Sequence, residues 1–294
     1  MTDKICVVFV CNLPYYNKFR LTCYSLLTIG CYKGDIVLIV GDDLYDAENN
    51  HFLINDDFIE HYKINVKYFP EYKFTDEFIE KQKMLQRDRF WFDKRFQFHK
   101  FHLFDTYFKQ WDYIFYMDCG MHIFSDIGPI IDERKPDKLI ANRDGVDNET
   151  AAFCVPETPG EGLKIGDQFV KTEPGFTILR TNYNIKLPYF QTTMMIYDTN
   201  IINENTKSEL YRLLFTYPFS ITNDQAIIAL YFTQEKPCWE QIRRKKGDLY
   251  YYDYVRCVNN RYIMVKSMDS NYMHIGYNYV LDSSVMESTL YLAF

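Results

Sequence analysis

Glycine is scarce, 12 residues against 26 Tyr and 24 Phe, and none occurs in CNLPYYNKFR, the segment after the first apolar run. A glycine-rich phosphate loop following the first strand is therefore excluded. The eight cysteines, at positions 6, 11, 23, 31, 119, 154, 238 and 257, contain no CxxC pair. That excludes the common zinc frameworks, and the chain is too long and too Cys-poor for a small disulfide scaffold. Cys6, Cys11 and Cys23 sit in apolar runs where Cys acts as a small hydrophobe, which fits a reducing, cytoplasmic setting. There is no basic excess: 33 Lys+Arg against 40 Asp+Glu give a formal charge of −7, which argues against a nucleic-acid partner. No run approaches the roughly 18 apolar residues of a membrane span. The start, MTDKICVVFVCNLPYY, lacks a basic n-region and cleavable apolar core, so no signal peptide is expected.

What is present points to a folded α/β chain. The length of 294 residues allows two small domains or one large one, at about 150 residues per domain. Aromatics at 18% supply ample core area, so disorder is not expected. The aromatic excess has two readings: codon usage of an AT-rich genome, or a surface that stacks on sugar rings. The first accounts for the total.

The N-terminal part alternates. KICVVFV (Lys4 to Val10) is a continuous apolar, β-branched run, the pattern of a strand covered on both faces. Helical spacing follows over Tyr16 to Tyr32, then a second buried run, DIVLIVGDD (Asp35 to Asp43), then INVKYF from Ile64. This spacing implies right-handed parallel crossovers in an open sheet. A long helix is expected within Trp91 to Lys109, and residues 142–176, rich in Gly, Pro, Asp and Glu, read as a flexible flap over a site. YFQTTMMIYDT (Tyr189 to Thr199) reads as a strand, with helices near 204–215 and 222–232 and short strands at YYYDYVR and YIMVKS. There is no internal repeat, and one domain over 1–294 fits better than two, with a division into parts 1–127 and 128–294.

Chemistry is expected first at WDYIFYMDCGMHIFSDI, where a strand ends in Asp118. That places a carboxylate at the carboxyl edge of the sheet, where open α/β folds bind ligands. Period-2 alternation would put Asp118, Gly120 and His122 on one face, with Gly120 admitting a bulky ligand and the carboxylate and imidazole able to share a divalent ion. The competing reading is that Asp118 caps a turn and His122 is an ordinary half-buried histidine.

Further motifs follow in order. FHKFHLFDTYFKQWDYIFYMDCGMHIFSDI carries Lys100 before Asp118 and ends in Asp126-Ile127; Gln191-Thr192-Thr193 opens an apolar strand; Asn223-Asp224-Gln225 opens a helix; His274-Ile275-Gly276 lies near the C-terminus. This arrangement resembles the GT-A nucleotide-sugar glycosyltransferases, above all the family of glycogenin and the bacterial lipooligosaccharide galactosyltransferases. The resemblance runs from about residue 4 to about 278. It implies a Rossmann-like, mixed and mostly parallel sheet flanked by helices in a single GT-A domain. It also implies transfer of a sugar from a nucleotide-diphosphate donor, UDP-linked by preference, to a glycan or protein hydroxyl with retention of configuration, assisted by Mn²⁺ or Mg²⁺. Asp118, the Gly120 position and His274 would be the metal site. Val10, Asn12, Tyr16, Lys100, Asp118, Gly120 and Gly276 would face the donor, and Asp224, Gln225 and Gln191 would carry catalysis at the sugar, with 142–176 as the lid. An aromatic, alanine-poor composition also resembles proteins of large DNA viruses, which would place the chain in the host cytoplasm.

Two departures matter. The second Asp of the family's Asp-x-Asp is Gly120, and its Asn-x-Gly strand reads Gln191-Thr192-Thr193. Asp118 and His274 holding a metal is the favoured outcome, since both are retained; the alternatives are a metal-independent site with Lys100 or Arg neutralising the diphosphate, and a domain that binds nucleotide sugar or glycan without turnover. Among the remaining candidates, Asp42 and Asp43 read as turn caps, Asp93-Lys94-Arg95 as a solvated helix face and Arg243 to Lys246 as a surface turn before Gly247. His99 and His102 read as packing or surface histidines, not ligands, and Tyr250-Tyr251-Tyr252 as a strand with one exposed face.

Overall fold

The computed structural model describes residues 3–54, 57–85, 95–144, 163–165, 168–170, 174–184, 187–218, 220, 222–255 and 262–267. Along the chain, the labelled elements are β1 (Ile5–Cys11), α1 (Tyr16–Thr28), β2 (Asp35–Val40), β3 (Asn65–Tyr68), β4 (Tyr113–Met117), β5 (His122–Ile123) and β6 (Leu139–Arg143). They continue with β7 (Phe190–Asp198), α2 (Thr206–Thr216), α3 (Asp224–Leu230), β8 (Trp239–Gln241), β9 (Leu249–Val255) and β10 (Tyr262–Ser267). The chain forms two units that alternate in sequence. Met1–Pro70, Trp111–Arg134 and Ile242–Phe294 make the first; Glu71–Gln110 and Lys135–Gln241 make the second. The later strands β9 and β10 fall in the same unit as β1 to β5.

In the first unit, β3, β2, β1 and β4 lie side by side in that order, all parallel. The α/β class with mostly parallel strands is the one expected. Ile36 to Val40 are five consecutive buried residues, as a strand covered on both faces requires. Helix α1 buries Phe19, Cys23 and Leu26, spaced at helical intervals on one stripe. Phe19 meets Phe9 of β1 edge-on, with centroids 5.2 Å apart. The turn after α1 is tight: a Cβ on Gly30 would stand 2.6 Å from the Leu26 carbonyl oxygen, so only glycine fits. A second small sheet joins β9 and β10 in parallel and β10 to β5 in antiparallel register. Its hairpin turns after Lys245–Lys246 at Gly247 (φ 62°), which is the surface turn expected there.

In the second unit, β6 pairs antiparallel with β7 and parallel with β8. Leu210, Leu213 and Leu214 of α2 are fully buried, and Tyr211 packs edge-on against Phe101 at 5.1 Å. The Tyr197 hydroxyl donates to the Leu103 carbonyl at 2.6 Å, which ties β7 to the 95–104 segment. Rings packed on rings recur through both units, so much of the aromatic excess is core. Among the described residues no helix is long and apolar enough to cross a membrane.

Two expectations change, for the helix before β4 and for the strand at Tyr251, while the 142–176 segment falls mostly outside the described residues. The helix sought within Trp91 to Lys109 is two 3-10 segments, Arg95–Phe104 and Thr106–Gln110, with residues 91–94 outside the described part. Asp105 separates them, its Oδ1 accepting from the Tyr107 amide at 2.9 Å, so the side chain competes with continuation of the helix. Within 142–176, the described residues form strand ends, a short antiparallel pair Leu163–Ile165 with Gln168–Val170, and the start of a helix, Pro174–Asn182; most of the rest lies outside the described residues. Tyr251 and Tyr252 are both buried, so that strand is covered on both faces there.

His99 and His102 are packing histidines as read, both buried. Burial, then repulsion from His99 and Lys207, hold the His102 pKa down to about 2 from 6.5. The folded state therefore binds fewer protons than the unfolded one below pH 6.5: stability is full above that pH and is lost as pH falls from it towards the folded value. One such histidine costs about 1 kcal/mol between pH 6.5 and 5.5. Urea midpoints across this range should fall for the wild type and flatten for His102→Phe; equal slopes in the two would contradict the assignment.

Candidate functional site

Each unit carries its own polar cluster. In the first, β4 ends at Met117 and the chain turns at once, so the alternation expected to continue through His122 does not: Asp118 to Met121 form a turn before β5 begins. Gly120 within it has φ 88°, a conformation that L side chains rarely adopt. Its amide donates to the Thr22 hydroxyl at 2.9 Å, and that hydroxyl donates on to the Met121 carbonyl at 3.1 Å. Helix α1 thus pins the turn at the carboxyl end of β1 and β4. The backbone itself opposes an aspartate at position 120. Gly120→Asp is expected to destabilise the chain by about 1 to 2 kcal/mol, which urea unfolding of the two proteins checks.

Asp118 is held on both oxygens. Oδ1 accepts from the Tyr116 hydroxyl at 2.5 Å, and Oδ2 is in contact with the Lys266 ammonium, reached from β10. Lys18, one helical turn before Thr22 on α1, lies half-buried with its ammonium 4.6 Å from the centre of the Tyr15 ring. Burial first, then the charge of Lys266, lower the pKa of Lys18. Tyr15 is exposed, whereas Tyr16 is buried against Phe19 and Phe52, each with centroids at 5.8 Å. Tyr15 is the surface aromatic of the pair. Val10 accepts at its carbonyl from the Cys119 thiol at 3.4 Å. Asn12 precedes the turn into α1. Asp43 accepts from the Leu13 amide at 2.8 Å, and Asp42 from the Tyr68 hydroxyl at 2.7 Å, so both bond to distant segments and not only within their own turn.

Asp118 offers one carboxylate with an ammonium already against Oδ2, and Gly120 offers no side chain. Among the described residues no three His, Cys, Asp or Glu gather as metal ligands. The described residues therefore do not fit a divalent ion. His274 and Gly276 lie outside the described residues.

The second unit gathers Lys100, Gln191, Asp224 and Gln225, which the sequence places far apart. Asp224 opens α3 and is buried; its Oδ2 accepts from the Thr192 hydroxyl at 2.7 Å and pairs with Lys100 Nζ at 3.2 Å. The Gln225 amide nitrogen donates to Asp144 at 2.8 Å, and the Asn142 amide nitrogen to Gln191 Oε1 at 3.4 Å. Asn223, before α3, adopts φ 53° and ψ −116° and donates from its amide to Gln97 at 2.5 Å. A strained residue beside a dense polar network marks a place where structure is over-determined. Asp144, Lys18 and Lys266 were missed in the sequence, and Thr192 was noted only as a departure from the family's strand. Asp144 lies inside the 142–176 segment, while a single Lys in YIMVKS gives no signal.

No protein-family model matches the chain, and no curated protein does. Among solved structures, the apo form of the bifunctional glycosyltransferase WbbM superposes with a TM-score of 0.48 at 16% identity, covering 82% of this chain. The chain spans 39% of that protein's length.

Proposed function

We propose that the chain transfers a glycosyl group from a nucleotide-diphosphate sugar, UDP-linked by preference, to an acceptor hydroxyl with retention of configuration. The observation that carries this reading is Asp118 at the carboxyl end of the parallel strands, set with Lys266, Lys18 and the exposed Tyr15 ring. Open α/β sheets bind ligands at that edge. A diphosphate calls for cations, and a nucleobase for an aromatic face.

The reaction asks little covalent chemistry of the protein. The acceptor oxygen bonds to the anomeric carbon, and the bond from that carbon to the diphosphate oxygen breaks with its electron pair leaving on the diphosphate. The hydroxyl proton passes to the departing phosphate oxygen. The protein's task is to neutralise charge where it develops and to keep water out. In the second unit taken by itself, the amides of Gln191, Gln225 and Asn142 have the donors and acceptors suited to sugar hydroxyls. Asp224, buried against Lys100 and Thr192, is assigned a positioning role towards Gln225.

The test is turnover. The chain is incubated with a panel of UDP-sugars, with and without simple glycoside acceptors, and free UDP is quantified by chromatography. Release of UDP from at least one donor supports transfer. UDP binding with no turnover on any donor would leave a nucleotide-sugar binding module in its place.

A further inference from the structure

We propose that Lys18 and Lys266 together form the cation that receives the donor diphosphate, taking the role that a divalent metal plays in related chemistry. This rests on the transferase reading above. Three features of the first unit support it.

The first is charge. The three side chains Asp118, Lys266 and Lys18 carry a net single positive charge, and the carboxylate holds Lys266 at the end of the strand edge. Two ammonium groups within electrostatic reach of one another are an unfavourable arrangement that an anion relieves. The second is direction. Lys18 precedes Thr22 by one turn on α1, and Thr22 is hydrogen-bonded to both Gly120 and Met121. Lys18 is thereby carried on the helix face that meets the Asp118–Met121 turn. The third is the backbone at Gly120. Its φ of 88° disfavours a side chain there, so the turn carries the single acid Asp118, with Lys18 brought by α1 and Lys266 by β10. Asp43, another acid of this edge, accepts from the Leu13 amide.

The step balances without a metal. As the anomeric bond breaks, its electron pair stays on the β-phosphate oxygen, and the two ammonium groups neutralise that charge by hydrogen bonds without giving up a proton. Tyr15, already against Lys18, offers its face to the base at the other end of the nucleotide.

Calorimetric titration with UDP, uridine and inorganic pyrophosphate, each in EDTA and in Mn²⁺, tests the assignment. UDP and pyrophosphate should bind in EDTA with affinities within about threefold of those in Mn²⁺. Lys18→Met and Lys266→Met should each weaken both by about tenfold or more and leave uridine unchanged, while Lys266→Arg stays near wild type. Lys18→Met, which removes no ion pair with Asp118, keeps the test valid should Lys266→Met unfold, as thermal melts will show. Phosphate binding that needs Mn²⁺, or lysine variants that bind as wild type, would overturn the lysine assignment and leave the transferase reading standing. Absence of UDP binding in both conditions would overturn both.

Discussion

Lys100→Met is expected to lower the stability of the chain by about 3 to 5 kcal/mol, the cost of stripping one partner from a buried ion pair. The two side chains are 13% and 4% exposed, and their polar atoms lie 3.2 Å apart. Removing the ammonium takes the Lys100 charge away from the buried Asp224 carboxylate. The Thr192 hydroxyl at 2.7 Å supplies a hydrogen bond but no charge. The pair need not be a net stabiliser for this to hold, because the desolvation of both ions opposes their attraction. Lys100→Met combined with Asp224→Leu should therefore recover much of the loss, and the double-mutant cycle should show strong coupling. Urea unfolding of the four proteins measures it. A single-mutant loss under about 1 kcal/mol would show that the pair behaves as a surface salt bridge. The result also bears on role: the resemblance implied that Lys100 faces the donor, and the structure places it on Asp224.

Lys266→Met is expected to reduce kcat/KM for donor turnover by about 100-fold or more, the scale of losing one charge-stabilising donor at a developing anion. Added Mn²⁺ should not rescue it, since the turn at Gly120 supplies no second carboxylate. Lys266→Arg should retain most activity, because charge and not proton transfer is what the step needs. The loss should appear in kcat as well as in KM, as the departing phosphate gains negative charge only as the bond breaks. Recovery of the Met variant by Mn²⁺ would return the site to a metal.

How much of this could be read in the sequence varies with physical cause. β1 and β2 were plain because KICVVFV and DIVLIV are unbroken β-branched runs, which few conformations besides a covered strand satisfy. Asp118 was legible because it ends such a run. Alternation failed just beyond it, since Gly120 takes a positive φ that no periodicity anticipates, and the chain turns instead of extending. The segment over 95–110 has helical composition but breaks at Asp105, whose side chain captures a backbone amide. Asp224, Gln225, Gln191 and Lys100 were picked out by resemblance, but their contacts were not: Asp144 is 81 residues from Gln225 in sequence. Lys266 was invisible for a related reason. Its neighbours Ile263, Met264 and Val265 are buried, and a Lys after such a run reads as an edge residue facing water. Only the pairing of β10 with β5 shows how that strand is held near the end of β4.

The most direct test is a crystal structure of the chain with UDP, grown in the presence of Mn²⁺ and examined by anomalous scattering. The account predicts phosphate oxygens within hydrogen-bond distance of Lys18 Nζ and Lys266 Nζ, the uracil ring against Tyr15, and no Mn²⁺ at Asp118. Manganese bridging Asp118 and the diphosphate, with Lys266 displaced from the carboxylate, would contradict it.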